Sequence, residues 1–290
     1  MSEALALIPP GALLSRPDLA ELSLEGLVRA STYRATIAHR LGMVCADILT
    51  QPYDRAEVVD QLVFGEIFDV LDSRDGFVWG RARRDGVVGW VRQTGLKPPT
   101  ETITHRIRTA SAPVHAEAEG GAAIMTLPMN ALVRVVEQRE GRVRLDQAGW
   151  ASADDLAALD QFEVNPADAA EQFIGAPHRL GGRTFEGIDC VGLAQQALYA
   201  CGLAGPRYAP GLAEIGQAVV LDKARRGDLI VWRSDDAGVW GGHAGVMADN
   251  GRLIHASGEA GRVLVEPLAE VAARYATRGF SVPALQRPGF

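Results

Sequence analysis

Apolar and polar positions change rhythm twice along the chain. From Met43 to Pro98 the apolar residues come in short runs, Leu62-Val63-Phe64, Ile67-Phe68-Asp69-Val70-Leu71, Phe77-Val78-Trp79 and Val87-Val88-Gly89-Trp90-Val91, divided by turn residues. Short runs rich in valine, isoleucine and aromatic residues read as strands. Asp75-Gly76 and Asp85-Gly86 supply the hairpin signals between them. The pattern predicts a small all-β barrel over 43–98. It is preceded by a lead-in segment, 1–42, with a short helix starting at Ser23 and carrying Leu24, Leu27 and Val28 on its apolar face.

Residues Ile67 to Leu96 then recur as Leu132 to Leu156. Val70 matches Val135, Gly76 matches Gly141, Gly89-Trp90 matches Gly149-Trp150, and Leu96 matches Leu156. The second copy is shorter between its glycine and its tryptophan, where a hairpin loop can shrink without touching the core. A second β-module is therefore expected over 99–159, joined to the first through Pro98-Pro99.

After Leu159 the pattern becomes mixed. A helix is expected from Pro166 through Ala169, Ala170, Phe173 and Ile174, and a glycine-rich stretch leads to a second helix beginning at Cys190. In that helix Leu193, Ala194, Ala197, Leu198 and Cys201 recur at three-and-four spacing, Gln195 and Gln196 lie on the other face, and Gly202 is the stop. Strands follow at 228–232, 243–248, 252–256 and 262–266, then a helix over 268–276 and a proline-bounded tail. A helix followed by consecutive strands predicts an α+β domain with an antiparallel sheet over 160–290.

Composition narrows the function. The chain has 290 residues, 47% apolar and 22% charged, with a formal net charge of −7, so a sizeable core is expected and a nucleic-acid partner is not. Three cysteines, Cys45, Cys190 and Cys201, offer neither a disulfide framework nor a close-spaced metal knuckle. A reducing compartment is expected. No basic leader segment precedes the apolar stretch 4–8, and no apolar run approaches the roughly 20 residues that span a bilayer. The expectations are a cytoplasmic protein, no membrane partner, no metal and no cofactor.

The chemistry centres on Gly187-Ile188-Asp189-Cys190. A cysteine in the first turn of a helix meets unpaired backbone N–H groups and the positive end of the dipole, which predicts a lowered thiol pKa. A thiolate nucleophile needs a base and a group that orients the base; His243 and His255 bracket a hairpin that can supply both. With a two-residue Asn250-Gly251 loop, the histidines would lie on opposite faces. With a three-residue loop, Asp249-Asn250-Gly251, residue 245 faces 255 and the histidines become diagonal neighbours about 7–8 Å apart. The three-residue loop, with a type I turn and a left-handed Gly251, is the expectation. Cys190, His243 and His255 are the catalytic candidates.

Gly-Ile-Asp-Cys at 187–190, Arg-Gly-Asp-Leu-Ile-Val-Trp at 226–232, His-Ala-Gly-Val at 243–246 and Leu-Ile-His-Ala at 253–256 resemble the NlpC/P60 cysteine peptidases, papain-like enzymes that cleave peptidoglycan stem peptides. The paired Gly-Trp modules resemble the bacterial SH3 domains that precede such peptidases. The resemblance implies Cys190 as nucleophile, His243 as base and His255 as the third polar residue. It also implies hydrolysis of the γ-D-glutamyl to diaminopimelate bond of murein stem peptides during cell-wall recycling, with SH3-like domain 1 packed against the peptidase cleft. Similar enzymes that require a free N-terminal L-alanine hold its amine with the Asp before the cysteine, a serine after the nucleophile helix and a tyrosine of the first SH3-like domain. Asp189 matches, whereas Ala209 and Val87 stand at the other two positions, and Val191 replaces the serine that usually follows the nucleophile. Losing two hydroxyls would weaken an amine site by roughly 1.5–3 kcal/mol each. The substrate-binding candidates are therefore Asp189, Val191, Val87, Ala209 and Trp90, the last also a candidate core residue of its barrel.

Other readings compete. Another acyl-transfer or amidase activity on a γ-glutamyl compound, or a non-catalytic binding protein using its SH3-like pair, would fit the same domain plan. Cys201 and Trp150 are expected in cores and Asp228 in a turn. His39, His105, His115 and His178 lack a partner pattern and are expected at the surface.

Overall fold

The computed structural model describes residues 13–99, 102–233 and 241–289, and the chain divides into two units, Met1–Ile103 and Thr104–Phe290. The first unit is built on a seven-stranded sheet. Its strands are β1 (Ile37–Leu41), β2 (Cys45–Leu49), β3 (Val58–Val63), β4 (Ile67–Arg74), β5 (Phe77–Ala82), β6 (Val88–Arg92) and β7 (Leu96–Lys97), in the order β3-β2-β6-β5-β4-β1-β7. β1 comes from the segment expected to be only a lead-in, so the barrel begins before Met43. The helix expected at Ser23 is a single 3-10 turn, Leu22–Leu24. Gly26 takes a left-handed φ of 79° just after it, and Leu27, which would have continued an apolar face, is exposed.

Trp90 and Val87 are both buried. Trp90 pairs with Leu49 and Trp79 across the sheet, its ring lies 6.5 Å from that of Trp79, and both join Leu14, Leu19 and Phe77 in one core.

The second unit opens with the repeat. Its strands are β8 (His105–Ile107), β9 (Ser111–Glu117), β10 (Gly120–Pro128), β11 (Leu132–Val133), β12 (Val135–Arg139), β13 (Arg142–Leu145), β14 (Gly149–Ser152) and β15 (Leu156–Ala158). The five-stranded order β10-β9-β14-β13-β12 reproduces β3-β2-β6-β5-β4. The matched residues occupy matched places. Asp75-Gly76 and Glu140-Gly141 are both hairpin turns with positive φ at both residues. Gly89 and Gly149 both sit where a strand crosses the neighbouring backbone: a Cβ would lie 2.8 Å from the Leu49 carbonyl oxygen in one case and 2.5 Å from that of His115 in the other.

This repeat was expected to stand apart from 160–290, yet it shares a unit with it. Buried polar contacts explain why. The Arg106 guanidinium donates to the carbonyls of Gln161 and Ala200, both at 3.0 Å. The Asn130 amide donates to the Gln196 backbone and side-chain oxygens at 2.9 and 2.8 Å.

The remainder holds α1 (Pro166–Glu171), α2 (Cys190–Ala200), α3 (Ala209–Leu212), β16 (Gln217–Ala218), β17 (Leu229–Arg233), β18 (Gly242–Met247), β19 (Arg252–Ser257), β20 (Arg262–Pro267), α4 (Leu268–Ala276) and β21 (Ala284–Arg287). The sheet runs β16-β21-β17-β18-β19-β20, antiparallel at every pair. β21 was expected to be tail. Those four residues instead pair with β17 and β16, anchored by the two-pronged ion pair of Arg287 with Asp228, both bonds at 2.8 Å.

α2 packs Leu193, Ala194, Ala197 and Leu198 against Val246, Ile254 and Ala256 on one sheet face. α4 packs Leu268 and Val271 against Trp232, Met247 and Leu253 on the other. Each fully buried leucine contributes about 1.5–3 kcal/mol. Gln195 and Gln196 are fully buried rather than on a wet face, because their amides donate to the carbonyls of Gly205 at 2.8 Å and Arg183 at 2.6 Å. Among the described residues no helix is long and apolar enough to cross a membrane.

Candidate active site

Asp189 builds the site from below. It is the N-cap of α2, where its carboxylate accepts the Gly192 N–H at 2.7 Å. The same carboxylate accepts the Gly181 N–H at 2.8 Å and a two-pronged pair from Arg207 at 3.1 and 2.5 Å. Asp189 and Arg207 are each 2% exposed. The expected role for Asp189, holding a substrate amine, is therefore not the one its contacts show: both oxygens are engaged inside the protein, and the opposite charge beside them is already supplied by a guanidinium. Gly192 is required because a Cβ there would run into the Gly182 carbonyl.

Cys190 begins α2 as expected, half-buried at the floor of a cleft. The lowered thiol pKa is not found. Burial pushes it up to about 12, with the neighbouring Asp189 charge adding to the rise. Backbone hydrogen bonds from Ala244 and Val191, together with the Arg207 charge, pull the other way without overcoming it. A raised thiol pKa favours the protonated form, which makes a nearby base necessary to the chemistry.

The histidines come from the hairpin. Val246 pairs with Ile254 and Met247 with Leu253, and Ala248 N–H donates to the Arg252 carbonyl. Continuing that register sets residue 245 opposite 255, the pairing expected of a three-residue loop. The turn itself differs: Asn250 and Gly251 both adopt left-handed φ, 59° and 68°, and the extra residue is taken up beside Asp249. His243 and His255 thus share a face. Nε2 of His243 lies 2.8 Å from Nδ1 of His255, and Nε2 of His255 lies 2.8 Å from a carboxylate oxygen of Glu266.

Glu266 is set by a second diagonal. His255 pairs with Leu264 on β20, which places Glu266 two residues further along on the same face, so the three groups form a slanted line across β18, β19 and β20. Arg274 on α4 clamps Glu266 with bonds of 3.1 and 2.6 Å. The Tyr275 ring stacks on His243 at 4.4 Å and on Trp232 at 5.3 Å. Burial, then the neighbouring His255 charge, hold the His243 pKa well below the usual imidazole range. Burial lowers that of His255 against the opposing pull of Glu266. The Arg274 and His255 hydrogen bonds keep the Glu266 carboxyl below its ordinary range despite partial burial.

The cleft, about 220 Å³, is lined by Cys190, His243, Asp189, Arg207 and Tyr208, with Val191 and Ala209 as apolar wall and His178, Tyr275, Arg278 and Phe280 also at its surface. His178 was expected to be an ordinary surface residue and is instead a cleft residue. Val87 and Trp90 belong to the other unit. Glu266, Arg274, Tyr275 and Arg207 were missed from sequence. A register count from His255 onto the next strand would have found Glu266; nothing local marks the other three.

Residues 175–281 match the model of the NlpC/P60 family, and residues 48–96 match that of the bacterial dipeptidyl-peptidase Sh3 domain; the chain therefore carries an NlpC/P60 domain and a bacterial SH3 domain. Among curated relatives, it is 37% identical over 118 residues to "Murein DD-endopeptidase MepS/Murein LD-carboxypeptidase" of Escherichia coli K12, a match covering 37% of this chain and 61% of that protein. It is 32% identical over 109 residues to "Peptidoglycan endopeptidase RipB" of Mycobacterium tuberculosis H37Rv, covering 33% and 43%. The chain thus spans less than two thirds of the length of these relatives. The crystal structure of an NlpC/P60 family protein from Bacillus cereus shares the fold, with a TM-score of 0.71, 16% identity, and coverage of 86% of this chain and 99% of that one.

Proposed function

We propose that the chain is a cysteine peptidase that hydrolyses the γ-D-glutamyl to diaminopimelate bond of peptidoglycan stem peptides, acting in cell-wall recycling in the cytoplasm. The observation that carries this reading is the cleft that Cys190 and His243 both line, with Nδ1 of His255 2.8 Å from Nε2 of His243. The murein and peptidoglycan endopeptidase names of the curated relatives support the substrate class. The repeated strand order supports reading the second β-module, 99–159, as a second SH3-like domain.

In the proposed mechanism Nδ1 of His243 takes the Cys190 proton, and the resulting thiolate attacks the γ-amide carbonyl. Backbone N–H groups at the start of α2 stabilise the developing oxyanion. The imidazolium returns its proton to the amine of the departing diamino acid as the C–N bond breaks. Water, deprotonated by His243, then hydrolyses the thioester and regenerates the thiol.

The test is incubation of the protein and its Cys190→Ala variant with L-Ala-γ-D-Glu-diaminopimelate, with the same peptide acetylated at its N-terminus, and with a D-Ala-diaminopimelate cross-linked dimer. Release of diaminopimelate by the wild type alone supports the reading. Cleavage only of the cross-link would move the activity to a different bond, and no cleavage of any substrate would overturn it.

A further inference from the structure

The general base has two ring nitrogens, and only one arrangement of protons leaves the correct one empty. His243 turns Nε2 toward His255, so Nδ1 is the atom left for the Cys190 proton. For Nδ1 to hold a lone pair the neutral ring must carry its proton on Nε2, and it must therefore find an acceptor at Nδ1 of His255. That nitrogen accepts only if His255 carries its own proton on Nε2. Nothing in either histidine enforces this order, because two neutral imidazoles in contact hydrogen-bond equally well in the reverse sense.

Glu266 breaks the symmetry. An ionised carboxylate accepts and cannot donate, so the oxygen 2.8 Å from His255 Nε2 requires the proton to be there. The consequence passes to the next ring. Resting on the catalytic reading above, we infer that Glu266 is a positioning residue that sets the tautomers of His255 and His243 in series and so keeps Nδ1 of His243 open as the base. Arg274, with two bonds to the same carboxylate, keeps Glu266 ionised and aimed. The other charged or titratable groups around the pair are Cys190, Tyr275, His178 and Arg278.

The arrangement also explains why the relay needs a second histidine. Glu266 is diagonal to His255, and His255 is diagonal to His243 on the other side. The carboxylate therefore stands two strands away from the base, and the imidazole of His255 bridges the distance while carrying the directional information.

The test is ¹⁵N NMR of histidine-labelled protein, which separates protonated from unprotonated ring nitrogens, together with mass-spectrometric measurement of iodoacetamide alkylation at Cys190. Neither readout needs a substrate, so a failure to cleave stem peptides and a failure of the relay are seen separately. In the wild type at pH 7, both histidines should carry the proton on Nε2 with Nδ1 bare. In Glu266→Gln, whose amide can accept or donate, a second form with the proton on Nδ1 of His243 should appear, and Cys190 alkylation at pH 7 should fall at least about fivefold. The wild-type spectrum stands even if the variant folds poorly. A wild-type His255 protonated on Nδ1, or a folded Glu266→Gln with unchanged tautomers and unchanged alkylation, would overturn the inference.

Discussion

Nε2 of His243 and Nδ1 of His255 lie 2.8 Å apart, with the two rings at 89°. This edge-on contact joins neighbouring strands through side chains that are diagonal rather than opposite. It ties the orientation of the His243 ring to its neighbour on the next strand.

Removing that tie should slow the chemistry more than it weakens binding. His255→Ala is expected to lower kcat by about 10²–10³ with KM changed little, since general-base catalysis contributes on that order. Cys190→Ala should abolish turnover, and adding His255→Ala to it should cost nothing further. Steady-state kinetics on the cleaved stem peptide check both. A KM effect alone for His255→Ala would place it in binding.

The buried neutral histidines make folding stability fall in acid. The folded pKa values of His243 and His255 are depressed by burial, whereas the unfolded chain titrates near 6.5. Above that pH neither state binds the protons and stability is unaffected. Below it the unfolded state binds more, so stability drops by up to about 1.4 kcal/mol per pH unit for each histidine until its folded pKa is passed. Urea titrations between pH 7.5 and 5 should show this loss, and His255→Gln should flatten the slope.

Asp189 and Arg207 should behave as a structural pair. Asp189→Ala leaves a buried guanidinium without its carboxylate and removes the α2 cap, and is expected to cost about 3–5 kcal/mol in chemical denaturation. Because the carboxylate is engaged internally, the N-acetylated stem peptide should be cleaved within a fewfold of the free one. A hundredfold preference for the free amine would show that Asp189 is available to substrate after all.

The two Gly-Trp glycines should be equally intolerant of a side chain. Gly89→Ala meets Ile48 Cγ2 at 2.5 Å and the Leu49 carbonyl, while Gly149→Ala meets the His115 carbonyl and also strains a φ of 132°. Each should destabilise its own unit by at least about 2 kcal/mol in thermal or urea unfolding. A neutral result at either would undo the equivalence of the two repeats.

Much of this was legible along the chain. The Cys190 helix, the four strands after Gly227, the helix from Leu268 and the register of the histidine hairpin all follow from local patterns of apolar spacing and turn residues. β1 and β21 were not legible, since each is short and joins its sheet through distant partners. Gln195 and Gln196 look solvated by residue type and are buried because carbonyls of Gly205 and Arg183 meet them.

The sequence by itself determined which residues could do chemistry: a cysteine at a helix start and two histidines held in phase by a hairpin, because helix and strand periodicity are local properties. Only the tertiary structure decided their state. Burial raised the thiol and silenced the imidazole charges, Arg207 claimed Asp189, and β20 with α4 brought Glu266 and Arg274 behind the relay. These depend on desolvation and on pairing between segments far apart in the chain, which no local pattern encodes.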